Sequence, residues 1–218
     1  MRQIRQAIIS HPGLQALLFV ALLCLYIWTL ERPASQAVRI VADLCLLAIP
    51  IGSNLLHRDR VRDLGLRIDN LRASALAAGA VTLFCSLVIV LVNRAYGWPL
   101  AWNAGAGLMV LGYLPWSFAQ QYMLQSFVYR RMREAMPGSQ QASIASALLF
   151  AVVHFPNPLL LATTASAGYL WCRAFGRAPN LFMLAVSHAW LVTLLMTSVP
   201  KEVHRFLRIG PRYWEWSG

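Results

Sequence analysis

Apolar runs long enough to cross a bilayer recur along this chain, and that recurrence restricts what it can fold into. They cover residues 14–30, 38–56, 73–92, 101–133, 141–155, 159–175 and 181–199. A membrane helix needs about 20 mostly apolar residues, and backbone in lipid must satisfy its own hydrogen bonds. A β-barrel would show weak alternating segments of about ten residues instead. The expected fold is therefore all-α, a polytopic transmembrane helical bundle of about seven to eight spans. Charged residues are only 12% of the chain, where soluble domains carry about 25%. The polar stretches are too short for a soluble domain. The whole chain, 1–218, reads as one integral membrane domain with a basic, aromatic tail at 200–218.

The formal net charge is +11. In a soluble protein that would raise nucleic acid as a partner. Here the arginines flank apolar spans, as cytoplasmic anchors and contacts to anionic lipid do. Membrane lipids are the expected partners, and nucleic acid is not. Arginine far outnumbers lysine, whose one example is Lys201; with the span pattern this points to the inner membrane of a bacterium. The basic start, Met1 to Arg5, precedes span one without a prompt small-residue cleavage site, so it reads as an uncleaved first helix with a cytoplasmic N-terminus. The tail then falls on the outer side, against the positive-inside rule. Either it folds onto an interface or one span is re-entrant. The charged segment 57–72 reads as a short interfacial helix. Cys24, Cys45, Cys85 and Cys172 all lie in apolar runs without C-x-x-C spacing, and read as small hydrophobes.

The stretch Trp116–Arg133 carries three glutamines: Gln120, Gln121 and Gln125. Amides at bilayer depth need protein or water partners. On a helix Gln121 and Gln125 share a face, and Gln120 lies about 100° round from Gln121. His154 and His188 are the ionisable groups placed to meet them from other spans. Intramembrane histidines point to function by default. His11, His57 and His204 sit at span edges. Asp43 is the one carboxylate clearly inside an apolar run, and a polar contact to Arg39 one turn earlier explains it equally well.

Phe150-Ala-Val-Val-His154, followed by Pro156-Asn157-Pro158, and His188 in Ser-His-Ala-Trp resemble the CPBP family of intramembrane proteases. That family includes CAAX prenyl protease 2 (Rce1-like) and the Abi proteins, and the resemblance implies a core of that kind at about 60–195. Its pattern is E-E-x-x-x-R, then F-x-x-x-H, then H-x-x-x-N on three membrane helices. The resemblance implies a peptidase site made of Gln120, Gln121, His154 and His188, with Gln125, Phe150 and Asn157 contacting substrate. The substrate or partner it implies is a transmembrane or lipidated peptide, with no metal and no cofactor.

The departures bear on chemistry. Gln120 and Gln121 stand where the family has glutamates, Gln125 where it has arginine, and Val192 where it has asparagine. In the family the first glutamate and the second-motif histidine are taken to activate water. Glutamine has no basic lone pair and orients water only. Losing a positioned base costs about 10²–10⁴ in rate, although His154 alone can still act as a base near neutral pH. Replacing all three charges together avoids an unpaired buried ion. Three readings follow: a divergent endopeptidase, a pseudoprotease scaffold that binds a membrane or lipidated partner, and a bis-histidine haem or metal protein. The last has too few ligands for a closed zinc site.

Overall fold

The computed structural model describes residues 10–30 and 34–215. Residues 1–9, 31–33 and 216–218 lie outside that description. Every long element is a helix. α1 spans Pro12–Thr29, with proline at its first turn, where a missing N–H costs nothing. α2 spans Gln36–His57, opened by Ser35, whose hydroxyl accepts from Val38 N, and closed by Arg58 in the left-handed region. α3 spans Leu71–Ala95. α4 spans Ala104–Gln121 and starts where Asn103 accepts from Gly105 N at 2.9 Å.

A π-helical run, Tyr122–Tyr129, continues α4 and leads into α5, Arg130–Ala135. The expected run from 101 is thus shorter at its start, and Pro115 sits inside α4 without ending it. The irregularity falls after Gln121 instead. Its i→i+5 bonding widens the turn, and such insertions are common at functional sites. α6 is Ser139–Val152, α7 Pro158–Arg177 and α8 Leu181–Ser198. α7 and α8 are opened by the same device: Asn157 accepts from Leu160 N and Asn180 from Met183 N.

α8 is the central helix. It packs on α3 and α4, while α6 packs on α7 and α1 on α5. The core cluster joins Leu124, Phe127 and Tyr129 of the π run to Trp171, Phe175 and Leu184. Four helices are long and apolar enough to cross a membrane: α1, α2, α3 and α8. The most apolar window of α3 is 11% buried and that of α8 67%, so α3 shows its leucines outward and α8 lies inside. The full count of seven to eight spans does not emerge from this measure. α6 has 14 residues, about 21 Å at 1.5 Å per residue, short of a hydrocarbon core of about 30 Å. α7 is diluted by Thr163, Thr164, Ser166 and Arg173.

The segment after His57 is not an interfacial helix. It is a chain of turns whose backbone is used by its neighbours. Leu64 O accepts from Ser126 Oγ at 2.7 Å, and Gly65 O from Leu181 N at 2.9 Å. Gly65 has φ +79°, and a Cβ there would lie 2.6 Å from the Phe175 ring; only glycine fits. Asp59 binds Arg130 and, at 2.5 Å, the fully buried Arg131. Arg131 also reaches Glu134 at 2.7 Å and Asn54 at 2.9 Å. Near the surface, Arg62 and Arg67 hold Asp69, and the Arg67 hydrogen bond keeps its carboxyl below the usual carboxylate range.

The tail folds back onto the bundle. After α9, Lys201–His204, Arg205, Phe206 and Leu207 run consecutively through the left-handed region, at φ 48°, 49° and 55°. Gly210, at φ +55° and against Ile27, donates its N–H to Phe155 O at 2.9 Å.

Candidate active site

Three helix faces meet around the glutamines. Gln121 and Gln125 are fully buried. Gln125 Nε2 donates to Gln121 Oε1 at 3.2 Å, which orients the Gln121 amide, while Gln125 Oε1 is buried without a hydrogen-bond partner. Gln121 Nε2 then points at His188 Nδ1, 3.4 Å away. An amide NH₂ can only donate, so His188 Nδ1 must accept. The His188 proton therefore sits on Nε2. The ring is held between Trp171, centroids 4.7 Å apart, and Phe150 at 6.3 Å.

His154 is arranged the opposite way. Its Nδ1 lies 2.8 Å from Phe150 O, a carbonyl that can only accept. The proton sits on Nδ1 and Nε2 keeps its lone pair. The Phe150 ring meets His154 edge-on at 4.9 Å, so this one residue touches both imidazoles.

Two cavities open onto this arrangement. The larger, about 700 Å³, is lined by Ser117, Gln120, His154, Trp171, His188 and Val192 among others, with Phe206, Leu207 and Ile209 of the tail. The smaller, about 350 Å³, lies between α1, α2, the π run and α6. Gln120, Trp116, His154 and Ile209 line both. Asp43 and Arg39 line the smaller one, and Asp43 is the one carboxylate among the lining residues of either. The expected pairing of Arg39 with Asp43 is absent among the ion pairs of the described residues.

The structure thus brings Gln120, Gln121, Phe150, His154 and His188 together. Gln125 supports them from behind, beside the buried Cys172, and lines neither cavity. Asn157 does not reach a cavity either. It is fully buried, caps α7, and donates to His204 O at 3.3 Å and Arg208 O at 3.1 Å, tying the tail down. Sequence reasoning missed Ser117 and the tail residues Phe206, Leu207 and Ile209. Ser117 lies one turn before Gln121, a signal that was available; the tail's return was not written in any local pattern. Among the described residues, no three His, Cys, Asp or Glu side chains converge as a ligand set.

Residues 101–194 match a protein-family model, that of the type II CAAX prenyl endopeptidase Rce1-like family. Over this segment the chain is similar to that family. The match holds Gln120, Gln121, Gln125, Phe150, His154, Asn157 and His188, so the motif resemblance falls inside it. It begins at residue 101, later than the expected core from about 60, and leaves out Asp43 and the tail. No curated protein matches the chain. No solved structure matches it. The Rce1-like segment and the four long apolar helices make this a membrane protein.

Proposed function

We propose that this protein is an intramembrane endopeptidase of the CAAX-protease type whose water is activated by His154 rather than by a glutamate pair. The observation that carries the reading is a pair of hydrogen bonds, one to each of two histidines on one cavity, from which opposite tautomers follow. His154 presents a bare Nε2, a base; His188 presents Nε2–H, a donor. Amide hydrolysis needs both: a group that takes the water proton and one that meets the negative charge developing on oxygen. Gln120 orients the water, and Asp43 across the smaller cavity balances the charge on the His154 imidazolium. The largely apolar walls suit a lipidated or membrane-spanning peptide, and lipid fills the rest. The site lies in a bacterial inner membrane with the N-terminus cytoplasmic.

The test uses full-length protein in proteoliposomes with a farnesylated peptide ending in a CAAX-type sequence. Wild type releases the C-terminal fragment, detected by mass spectrometry, and His154→Ala lowers the rate by about 10²–10⁴. If wild type binds the peptide and releases nothing, the protein is a pseudoprotease scaffold. The locked Gln121–Gln125 pair and the apolar Val192 favour that second reading.

A further inference from the structure

Every hydroxyl on the wall of the larger cavity but one is occupied. Thr163 donates to Leu159 O at 2.8 Å, Thr164 to Leu160 O at 2.5 Å, and Ser166 to Ala162 O at 2.9 Å. These are the usual back-bonds of hydroxyls in helices, one turn toward the N-terminus. Ser117 does not make one. Its residue is 1% exposed, its Oγ is buried, and it has no hydrogen-bond partner. Thr193 and Ser198 also hold buried hydroxyls without partners, but neither lines either of these two cavities. A buried donor left unmade costs stability, and such a group in a native structure asks for a role.

The position of Ser117 indicates that role. It lies three and four residues before Gln120 and Gln121, on the same helix face, and lines the cavity with His154 and His188. Val192, one turn after His188 on α8, lines the same cavity and offers no hydrogen bond. His188 Nε2–H is therefore short of a companion donor, and Ser117 is a donor short of an acceptor.

We infer that Ser117 is a second oxyanion donor, its Oγ–H binding the carbonyl oxygen of a peptide bond held in the larger cavity. This rests on the endopeptidase reading and names the group that completes it. In the addition step a water O–H bond breaks and its proton passes to His154 Nε2. The water oxygen bonds to the carbonyl carbon, and the C=O π pair moves to oxygen, where His188 Nε2–H and Ser117 Oγ–H meet it. Collapse re-forms the C=O bond, breaks the C–N bond and returns the proton from His154 to the departing amine. Ser117 exchanges no proton, so its contribution does not depend on pH.

The test compares wild type, Ser117→Ala and Ser117→Thr in proteoliposomes with the farnesylated CAAX-type peptide, carrying ¹³C at the scissile carbonyl. Ser117→Ala is expected to lower kcat about 10²-fold with KM nearly unchanged and the pH profile unshifted. Its thermal midpoint stays level or rises, since a buried unpaired hydroxyl is removed. Ser117→Thr keeps the donor and stays within about threefold of wild type. A structural role would lower the midpoint and leave kcat alone. If wild type cleaves and Ser117→Ala cleaves equally fast, the inference is overturned and the endopeptidase reading stands. If wild type binds without cleaving, that reading falls, and the infrared stretch of the labelled carbonyl decides for Ser117. A shift to lower frequency that Ser117→Ala abolishes supports the donor; an identical stretch in both overturns it. If the peptide does not bind wild type, both fall.

Discussion

Gln120 and Gln121 are adjacent in sequence, yet converting each to glutamate should have opposite effects. Gln121 is fully buried, between Gln125 Nε2 at 3.2 Å and His188 Nδ1 at 3.4 Å. A carboxylate there keeps the Gln125 donor but needs a second donor from His188. The His188 proton then moves from Nε2 to Nδ1, and the cavity loses its oxyanion donor. The buried ion costs several kcal/mol, and two charge-assisted hydrogen bonds return about 1.5–3 kcal/mol each. The net destabilisation is about 1–3 kcal/mol, or about 3–10 °C in Tm for a chain of this length. Loss of the donor lowers kcat by about 10²–10³. Gln120 instead sits half-buried on the wall shared by both cavities. Gln120→Glu faces the water that His154 activates, leaves Tm within about 2 °C, and raises the rate about 10–10²-fold. The assay is release of the peptide fragment in proteoliposomes beside a thermal unfolding scan in detergent. A Gln121→Glu variant as stable as wild type and as active as Gln120→Glu would refute the tautomer argument.

Other outcomes follow from the same contacts. Asp43→Asn removes the one carboxylate lining either cavity and is expected to slow cleavage about tenfold, with Asp43→Glu restoring it; equal rates for all three would remove Asp43 from the account. Arg131→Met strips buried bonds from Asp59, Asn54 and Glu134 and should cost about 3–5 kcal/mol, and a double-mutant cycle with Asp59→Asn should be non-additive by about 0.5–3 kcal/mol. Burial holds His204 below the ordinary histidine range, against the opposing charge of Glu202, and its Nδ1 must stay unprotonated to accept Phe206 N at 2.9 Å. The released tail binds that proton more readily, so stability of the docked tail is full above the unfolded histidine value, about 6.5, and falls as pH drops below it. The thiolate-corrected rate of maleimide labelling of Cys85, on the wall that Phe206 and Leu207 help close, should therefore rise on acidification, and a constant corrected rate would contradict it.

Much of this was legible in residue types. The apolar runs gave the helices to within a few residues, because length and composition alone decide what lipid tolerates. His154 and His188 stood out because polar groups are costly there, and Phe150 through the motif it shares with His154. What was not legible was tertiary. The turns after His57 look like an amphipathic helix until Leu64 and Gly65 are seen lending their carbonyls to Ser126 and Leu181. Asn157 looked like a substrate contact beside the motif, but its amide is used by α7 and the tail. The π run from Tyr122 to Tyr129 is a local rearrangement of the backbone, and periodicity at 3.6 residues has no sign of it. The role of Ser117 depends on a missing bond, which only coordinates reveal.

The central claim is that the two histidines hold opposite tautomers, one a base and one a donor. Nitrogen-15 magnetic resonance of the imidazoles, at neutral pH in lipid, with His154→Gln and His188→Gln for assignment, tests it without any substrate. The account predicts that His154 carries its proton on Nδ1 with a bare Nε2, and that His188 carries its proton on Nε2 with a bare Nδ1. The same tautomer at both residues, or a proton on His188 Nδ1, would contradict it.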